Sequence, residues 1–204
     1  MADDGAALAS RTGLDLGVAA RLLAYAELIR KWNRGQNLTS LRRLDQIVAR
    51  HLVDVLPLVR AIPAGAAHVA DIGSGAGSPG IPVAVCLPQV EVTLVESRKK
   101  RAVFLRQCRI ELGLGNVAVH HGRAESWAPD EPPDVLVSRA AAPLDRLARM
   151  TAHLVGPRTT MLVLKGNDPR EELGRLGDGE ALAVDRVEAV ESAQSHYMVR
   201  LAAA

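Results

Sequence analysis

An apolar run that ends in an acid and passes at once into a cluster of glycines leaves few options for the backbone, and Val69-Ala70-Asp71-Ile72-Gly73-Ser74-Gly75-Ala76-Gly77-Ser78-Pro79-Gly80 is such a segment. Val69 to Ile72 reads as a buried strand. The glycines permit a sharp turn and close approach of backbone to a ligand, and Pro79 to Leu87 reads as the helix that follows. A second apolar run, Thr93-Leu94-Val95, ends at Glu96, which places a carboxylate at the end of a neighbouring parallel strand, where it can accept two ribose hydroxyl hydrogen bonds. Strand, glycine turn, helix, strand and terminal acid together read as a nucleoside cofactor site.

Two nucleosides compete for it. Gly75-Ala76-Gly77-Ser78-Pro79-Gly80 fits the G-x-G-x-x-G pattern of a dinucleotide loop, in which amides at a helix start face a pyrophosphate. Asp71, just ahead of Gly73, argues for the other: its charge repels a pyrophosphate but suits an ammonium, and S-adenosylmethionine carries an ammonium, a sulfonium and no phosphate. A glycine turn without a ligand is the third reading. The methyl-donor reading makes Asp71, Gly73, Gly75, Gly77, Ser78 and Glu96 the expected cofactor residues.

From His68 onward strands and helices alternate. Strands are expected at Val69–Ile72, Val90–Val95, Val117–His121, Val135–Val137 and Met161–Leu164, with helices at Pro79–Leu87, Arg98–Leu112 and Leu144–Leu154. Ala181–Val190 and Tyr197–Leu201 read as a closing antiparallel hairpin. This predicts an α/β, doubly wound, mostly parallel Rossmann-like sheet over residues 66–204, and it resembles the class I S-adenosylmethionine-dependent methyltransferase fold. Residues 1–65 form a helical extension. One helix carries the stripe Val18, Leu22, Tyr25, Ile29 and Trp32 and runs out at Gly35. A second carries Val48, Leu52, Val55 and Val59, with Pro57 kinking or shortening it. A chain of 204 residues can bury one good core. A charge of +2 allows a polyanion partner without marking a non-specific nucleic-acid coat. Cys86 and Cys108 offer neither a disulfide framework nor metal-ligand spacing, so no metal is expected. The start has no basic leader and no apolar run reaches membrane-span length, so the chain is expected to be cytoplasmic, off the membrane and monomeric.

In a doubly wound sheet the ligand lies beyond the carboxyl ends of the strands, where strand order reverses. After the third strand come Arg123, Ala124 and Glu125, and the last two can meet an adenine edge through a backbone N–H and a carboxylate. Glu125 also reads as an ordinary first-turn acid. Arg139 follows the fourth strand and needs an anion or acceptors, either a ligand's or a structural partner's, with Asp71 and Glu96 as candidates. Lys165 follows the fifth. Ser138-Arg139-Ala140-Ala141 lacks the Pro-Pro-aromatic loop with which exocyclic-amine methyltransferases hold an amine, and Glu131-Pro132-Pro133-Asp134 reads as a rigid turn ahead of the strand. Neither cysteine is placed for attack on a pyrimidine ring. An acceptor with a free lone pair fits better, and guanine N7 is one, so Arg139 and Lys165 are expected to orient groups and no general base is assigned. Arg98, Lys99, Lys100 and Arg101 crowd the positive start of a helix, where an anionic neighbour such as an RNA phosphate would relieve their repulsion; a plain solvated face is the alternative.

The chain resembles the ribosomal small-subunit methyltransferase G family, also called glucose-inhibited division protein B. The resemblance rests on Trp32-Asn33 with Asn37-Leu38-Thr39, Arg50-His51-Leu52-Val53-Asp54, the glycine segment through Pro82, Glu96 to Leu105, Ser138-Arg139-Ala140 and Leu164-Lys165-Gly166. It implies methyl transfer from S-adenosylmethionine to N7 of one guanine in small-subunit ribosomal RNA, free or within the subunit, near the decoding region. It also implies cofactor contacts at Gly73, Ser78, Ala124, Glu125 and Arg139, and an N-terminal lobe that turns Asn37, His51 and Asp54 toward the cleft and the RNA, beside Arg98 to Arg101 and Arg123. The chain departs from the family pattern at Ser78, where Phe or Leu is usual, and at Val55, where Ser is frequent. The rivals are a methyltransferase of small molecules or proteins on the same fold, and an RNA-binding assembly factor without turnover.

Overall fold

A computed structural model describes residues 2–139, 142–177, 181–190 and 197–204. The strands are β1 (His68–Ile72), β2 (Glu91–Glu96), β3 (Val117–His121), β4 (Val135–Arg139), β5 (Thr160–Lys165), β6 (Leu182–Ala189) and β7 (Tyr197–Ala203). They form one sheet in the order β3-β2-β1-β4-β5-β7-β6. β1 to β5 pair in parallel, whereas β7 runs antiparallel to both β5 and β6. The expected parallel core and closing hairpin are both present, and the connection at 191–196 lies outside the described residues. Strand order reverses between β1 and β4, so the crevice of the fold opens beyond Ile72 and Arg139.

The helices are α1 (Ala2–Thr12), α2 (Leu16–Gln36), α3 (Leu44–His51), α4 (Leu56–Ala61), α5 (Gly80–Cys86), α6 (Lys99–Glu111), α7 (Leu144–Thr151) and α8 (Arg170–Leu173). Asp15 starts α2 by accepting from the amides of Gly17 and Val18. Asn37 ends it in the left-handed region at φ 49°. The stripe expected as one kinked helix is two, α3 and α4, separated by a 3-10 turn at Val53–Val55. Pro57 sits in the first turn of α4, where an N–H would be unused anyway. His51 and Asp54 therefore end one helix and enter the next turn instead of sharing a helix face. α1 and α8 were not expected: α1 is rich in alanine and buries Gly5, Leu8, Ala9 and Thr12, and α8 has no buried residue.

Successive side chains of each central strand go to opposite faces. Val69, Leu94, Val135 and Val137 face a core shared with Ile81 of α5, Phe104 and Leu105 of α6, and Leu22, Tyr25, Ile29, Ile47 and Leu52 of the extension. Ala70, Ile72, Val95, Leu136 and Val163 face the other way, toward Leu144 and Leu147 of α7 and Trp127. Trp32 meets Phe104 with ring centroids 5.6 Å apart. The N-terminal helices, through Leu22, Tyr25, Ile29, Ile47 and Leu52, are thus one wall of the central core, laid over the face that carries Asp71. Leu22 is fully buried there, so Leu22→Ala should cost about 2–5 kcal/mol. Calorimetry should show a single transition at lower temperature, with no separate melting of the N-terminal helices.

Candidate active site

The chain leaves β1 through a loop whose shape only glycine tolerates at key positions. Gly73, Gly75 and Gly77 have φ of 72°, 58° and 94°. The amides of Gly73 and Ser74 both donate to Val95 O, at 3.0 and 3.1 Å, which folds the loop over the end of β2. Gly80 opens α5 in a space already filled: a Cβ there would lie 2.2 Å from Leu94 Cδ2 and 2.7 Å from Asp71 Oδ2. The loop is also held from the N-terminal lobe, because the Tyr25 hydroxyl donates to Ala76 O at 2.7 Å.

Asp71 lies under this loop with 1 % exposure. Its Oδ2 accepts from the Gly80 amide at 3.0 Å, and Oδ1 has no hydrogen-bond partner among the described residues. Burial raises its pKa to about 7, against the opposing pull of the Gly80 amide. Glu96 reaches back to the same loop, accepting from the amide of Gly75 at 2.8 Å through Oε2 and from that of Arg98 at 2.7 Å through Oε1. Arg101 stands 4.0 Å away. A carboxylate has about four lone-pair positions, so Glu96 retains one acceptor site on each oxygen, which is what a ribose diol needs.

The opposite wall comes from α3. Arg139, at the end of β4, donates through Nη1 to Arg50 O and through Nη2 to His51 Nδ1, the latter at 3.1 Å. The Ser78 hydroxyl donates to His51 O at 3.1 Å. The glycine loop and β4 thus both dock on the last carbonyls of α3, the negative end of the helix, which suits a cation. Burial and the nearby Arg50 lower the Arg139 pKa to about 10, so the guanidinium stays charged. Burial, then Arg139 and Arg50, lower that of His51 to about 3, so its ring is neutral. Arg50 also pairs with Asp54 at 3.6 Å. Between the walls lies a cleft of about 520 Å³, lined by the glycine loop, Glu96, Arg98, Arg101, Arg139, His51 and the segment Leu38 to Leu41. Its size and polar lining suit a nucleoside cofactor with a second group beside it.

Of the expected site residues, Gly73, Gly75, Ser78, Glu96, Arg98, Arg101, Arg139 and His51 line this cleft together. Asp71, Gly77 and Asp54 are outside the lining: Asp71 and Asp54 are buried, Asp54 pairing with Arg50 of the lining, and Gly77 lies in the glycine loop. Ala124 and Glu125 form a 3-10 turn after β3, Ala124 buried and Glu125 exposed beside Arg123 at 2.9 Å. Lys99 and Lys100 are exposed in the first turn of α6. Lys165 points to Glu172 of α8 at 2.7 Å, and Glu172 also accepts from the Leu144 amide. Asn37 is the cap of α2 and accepts from Arg42. Three supporting residues carry no local sequence signal for these roles. Tyr25 and Glu172 are two of them. The third is Asn33, whose side chain donates to Leu41 O and accepts from the Thr39 amide, shaping the rim.

A solved methyltransferase from Aquifex aeolicus, described as dependent on S-adenosylmethionine, shares the fold with a TM-score of 0.56 over 73% of this chain and 87% of that one, at 20% identity. The sheet order, the glycine loop and the acid ending β2 define a class I S-adenosylmethionine-dependent methyltransferase. The family model described as rRNA small subunit methyltransferase G matches residues 19–198. The protein of that name from Pseudomonas aeruginosa is 41% identical over 181 residues, which are 89% of this chain and 84% of that protein. Its namesake from Neisseria gonorrhoeae is 47% identical over 156 residues, 76% of this chain and 74% of the other. The chain belongs to the rRNA small subunit methyltransferase G family. Among the described residues no helix is long and apolar enough to cross a membrane.

Gly80→Ala should lower both melting temperature and S-adenosylmethionine affinity, because the added methyl displaces Asp71 or Leu94; calorimetry and titration read both. The folded pKa of Asp71 lies above the unfolded carboxylate value, so the folded form holds the proton more tightly. That contribution is complete below about pH 4 and is lost as pH rises through about 7. Ligand-free protein should therefore lose stability relative to Asp71→Asn between pH 5 and pH 8 when the two are melted side by side.

Proposed function

We propose that this protein methylates N7 of a single guanine in small-subunit ribosomal RNA. The observation that carries the choice of acceptor is the poverty of proton-accepting groups in the cleft. Its lining carboxylate, Glu96, is engaged by two amides, and its lining imidazole, His51, is neutral with Nδ1 committed to Arg139. Such a site suits an atom that already offers a lone pair and has no proton to lose, as guanine N7 does. When bound, S-adenosylmethionine supplies a methyl group on a sulfonium, and attack by N7 forms the N–C bond as the C–S pair returns to sulfur. Glu96 and the glycine loop hold the ribose and the amino-acid end, and we assign Ala124 and Glu125 to the adenine edge.

The rest of the cleft serves position and charge. Arg98 and Arg101 on its rim, continued by Lys99 and Lys100 on the exposed start of α6, can track phosphates leading to the target base. Arg139 keeps the two walls in register and adds positive potential for an anionic ligand.

Radiolabelled methyl transfer to unmodified small subunits and to their stripped RNA, followed by mapping of the nucleotide, tests the proposal; label at one guanine N7 is the expected result, and label elsewhere refutes it. Glu96→Gln should weaken S-adenosylmethionine by about 10- to 100-fold, because hydrogen bonds to a charged acceptor are each worth roughly 1.5–3 kcal/mol. RNA affinity should fall steeply with added salt while cofactor affinity changes little, and Lys99→Ala with Lys100→Ala should flatten that slope.

A further inference from the structure

The imidazole of His51 is held in one tautomer by its neighbours. Arg139 Nη2 lies 3.1 Å from His51 Nδ1. A guanidinium carries only donors, so Nδ1 must be the accepting, unprotonated nitrogen. The ring is neutral under the combined effect of burial and the two adjacent guanidinium groups, which leaves its one proton on Nε2. Nε2 has no hydrogen-bond partner among the described residues, and His51 is one of the residues that line the cleft. The Ser78 bond to His51 O fixes the same residue against the glycine loop.

We propose that His51 Nε2–H donates a hydrogen bond to O6 of the guanine being methylated, so that His51 selects guanine and presents its N7 to the cofactor. The proposal rests on the guanine-N7 reading above and names the contact that enforces it. Guanine places O6 and N7 side by side as acceptors, whereas adenine places an amino donor where O6 would be. A donor that cannot turn into an acceptor fits the first and leaves two opposed donors with the second, one of them unsatisfied. Neutrality matters at the same place. The purine becomes cationic as N7 is alkylated, and an imidazolium beside it would repel that charge, whereas a neutral N–H contributes only a dipole.

His51→Asn keeps an acceptor for Arg139 and removes the Nε2 donor, while His51→Gln returns an amide donor near the Nε2 position. Each protein is given an RNA fragment with guanosine, or with 2-aminopurine riboside, which keeps N7 and lacks O6, at the target position. S-Adenosylmethionine binding is followed by calorimetry. The wild-type protein should prefer guanine by about tenfold or more. At saturating S-adenosylmethionine the Asn variant should lose that preference, and the Gln variant should regain part of it. In wild-type protein, nitrogen chemical shifts should place the ring proton on Nε2, and that resonance should move on binding the guanine RNA with S-adenosylhomocysteine but not on binding the 2-aminopurine RNA. This second reading needs no variant to fold. The proposal is overturned by a proton on Nδ1, by an Asn variant that keeps the guanine preference, or by loss of S-adenosylmethionine binding in that variant, which would assign the donor to the cofactor. Wild-type protein that methylates no guanine overturns the underlying reading and the proposal together, an outcome distinct from methylation that ignores His51.

Discussion

The guanidinium of Arg139 joins the two halves of this enzyme. It leaves the end of β4, at the reversal point of the sheet, and binds the carbonyl of Arg50 and the ring of His51 at the end of α3. A buried charge survives only where acceptors replace its lost water, and the exposed carbonyls of a helix C-terminus are ready acceptors of the right polarity. One side chain therefore bridges β4 and the end of α3 and fixes the tautomer of His51. Removing the guanidinium would take from His51 Nδ1 the donor it now accepts from.

The carboxylates are arranged with comparable economy. Asp71 and Glu96 end adjacent parallel strands, and both receive amides of the glycine segment, Gly80 for one and Gly75 for the other. Asp71 is enclosed, its pKa raised to about 7 by burial, and it shapes the loop through the Gly80 amide; Glu96 retains lone pairs and lines the cleft, available to a ligand. The Ser78 hydroxyl ties the loop to His51 O.

Much of the sheet was legible because short apolar runs bounded by turn residues mark strands buried on both faces, and because glycine at Gly73, Gly77 and Gly80 is demanded by backbone geometry and space. The element boundaries were read to within a few residues, with the division of α3 from α4 and the presence of α1 and α8 as the differences. α8 has four residues and buries none, so it offers no periodic stripe, while the face that α1 buries, Gly5, Leu8, Ala9 and Thr12, is mostly small or polar and gives little apolar contrast. Arg139, His51 and Glu96 were identifiable as site residues from their positions after strands or within a family motif. Tyr25 was not, since in a helical stripe it reads as core, and its hydroxyl becomes informative only when Ala76 O is found 2.7 Å away.

The sequence by itself determined the local backbone: which runs are strands, where glycine must turn the chain, and which strand ends carry acids and cations. These are properties of neighbours along the chain, set by sterics and by the period of apolar residues. Only the tertiary structure decided partnership. It set Arg139 against α3 instead of Asp71 or Glu96, brought Lys165 to Glu172, made Asn37 a helix cap, and packed the N-terminal helices into the main core, with Leu38 to Leu41, Arg50 and His51 lining the cleft. Those outcomes depend on which polar groups are brought together once apolar surface has been buried, and many residues far apart in the chain compete equally for each such place until the core is packed.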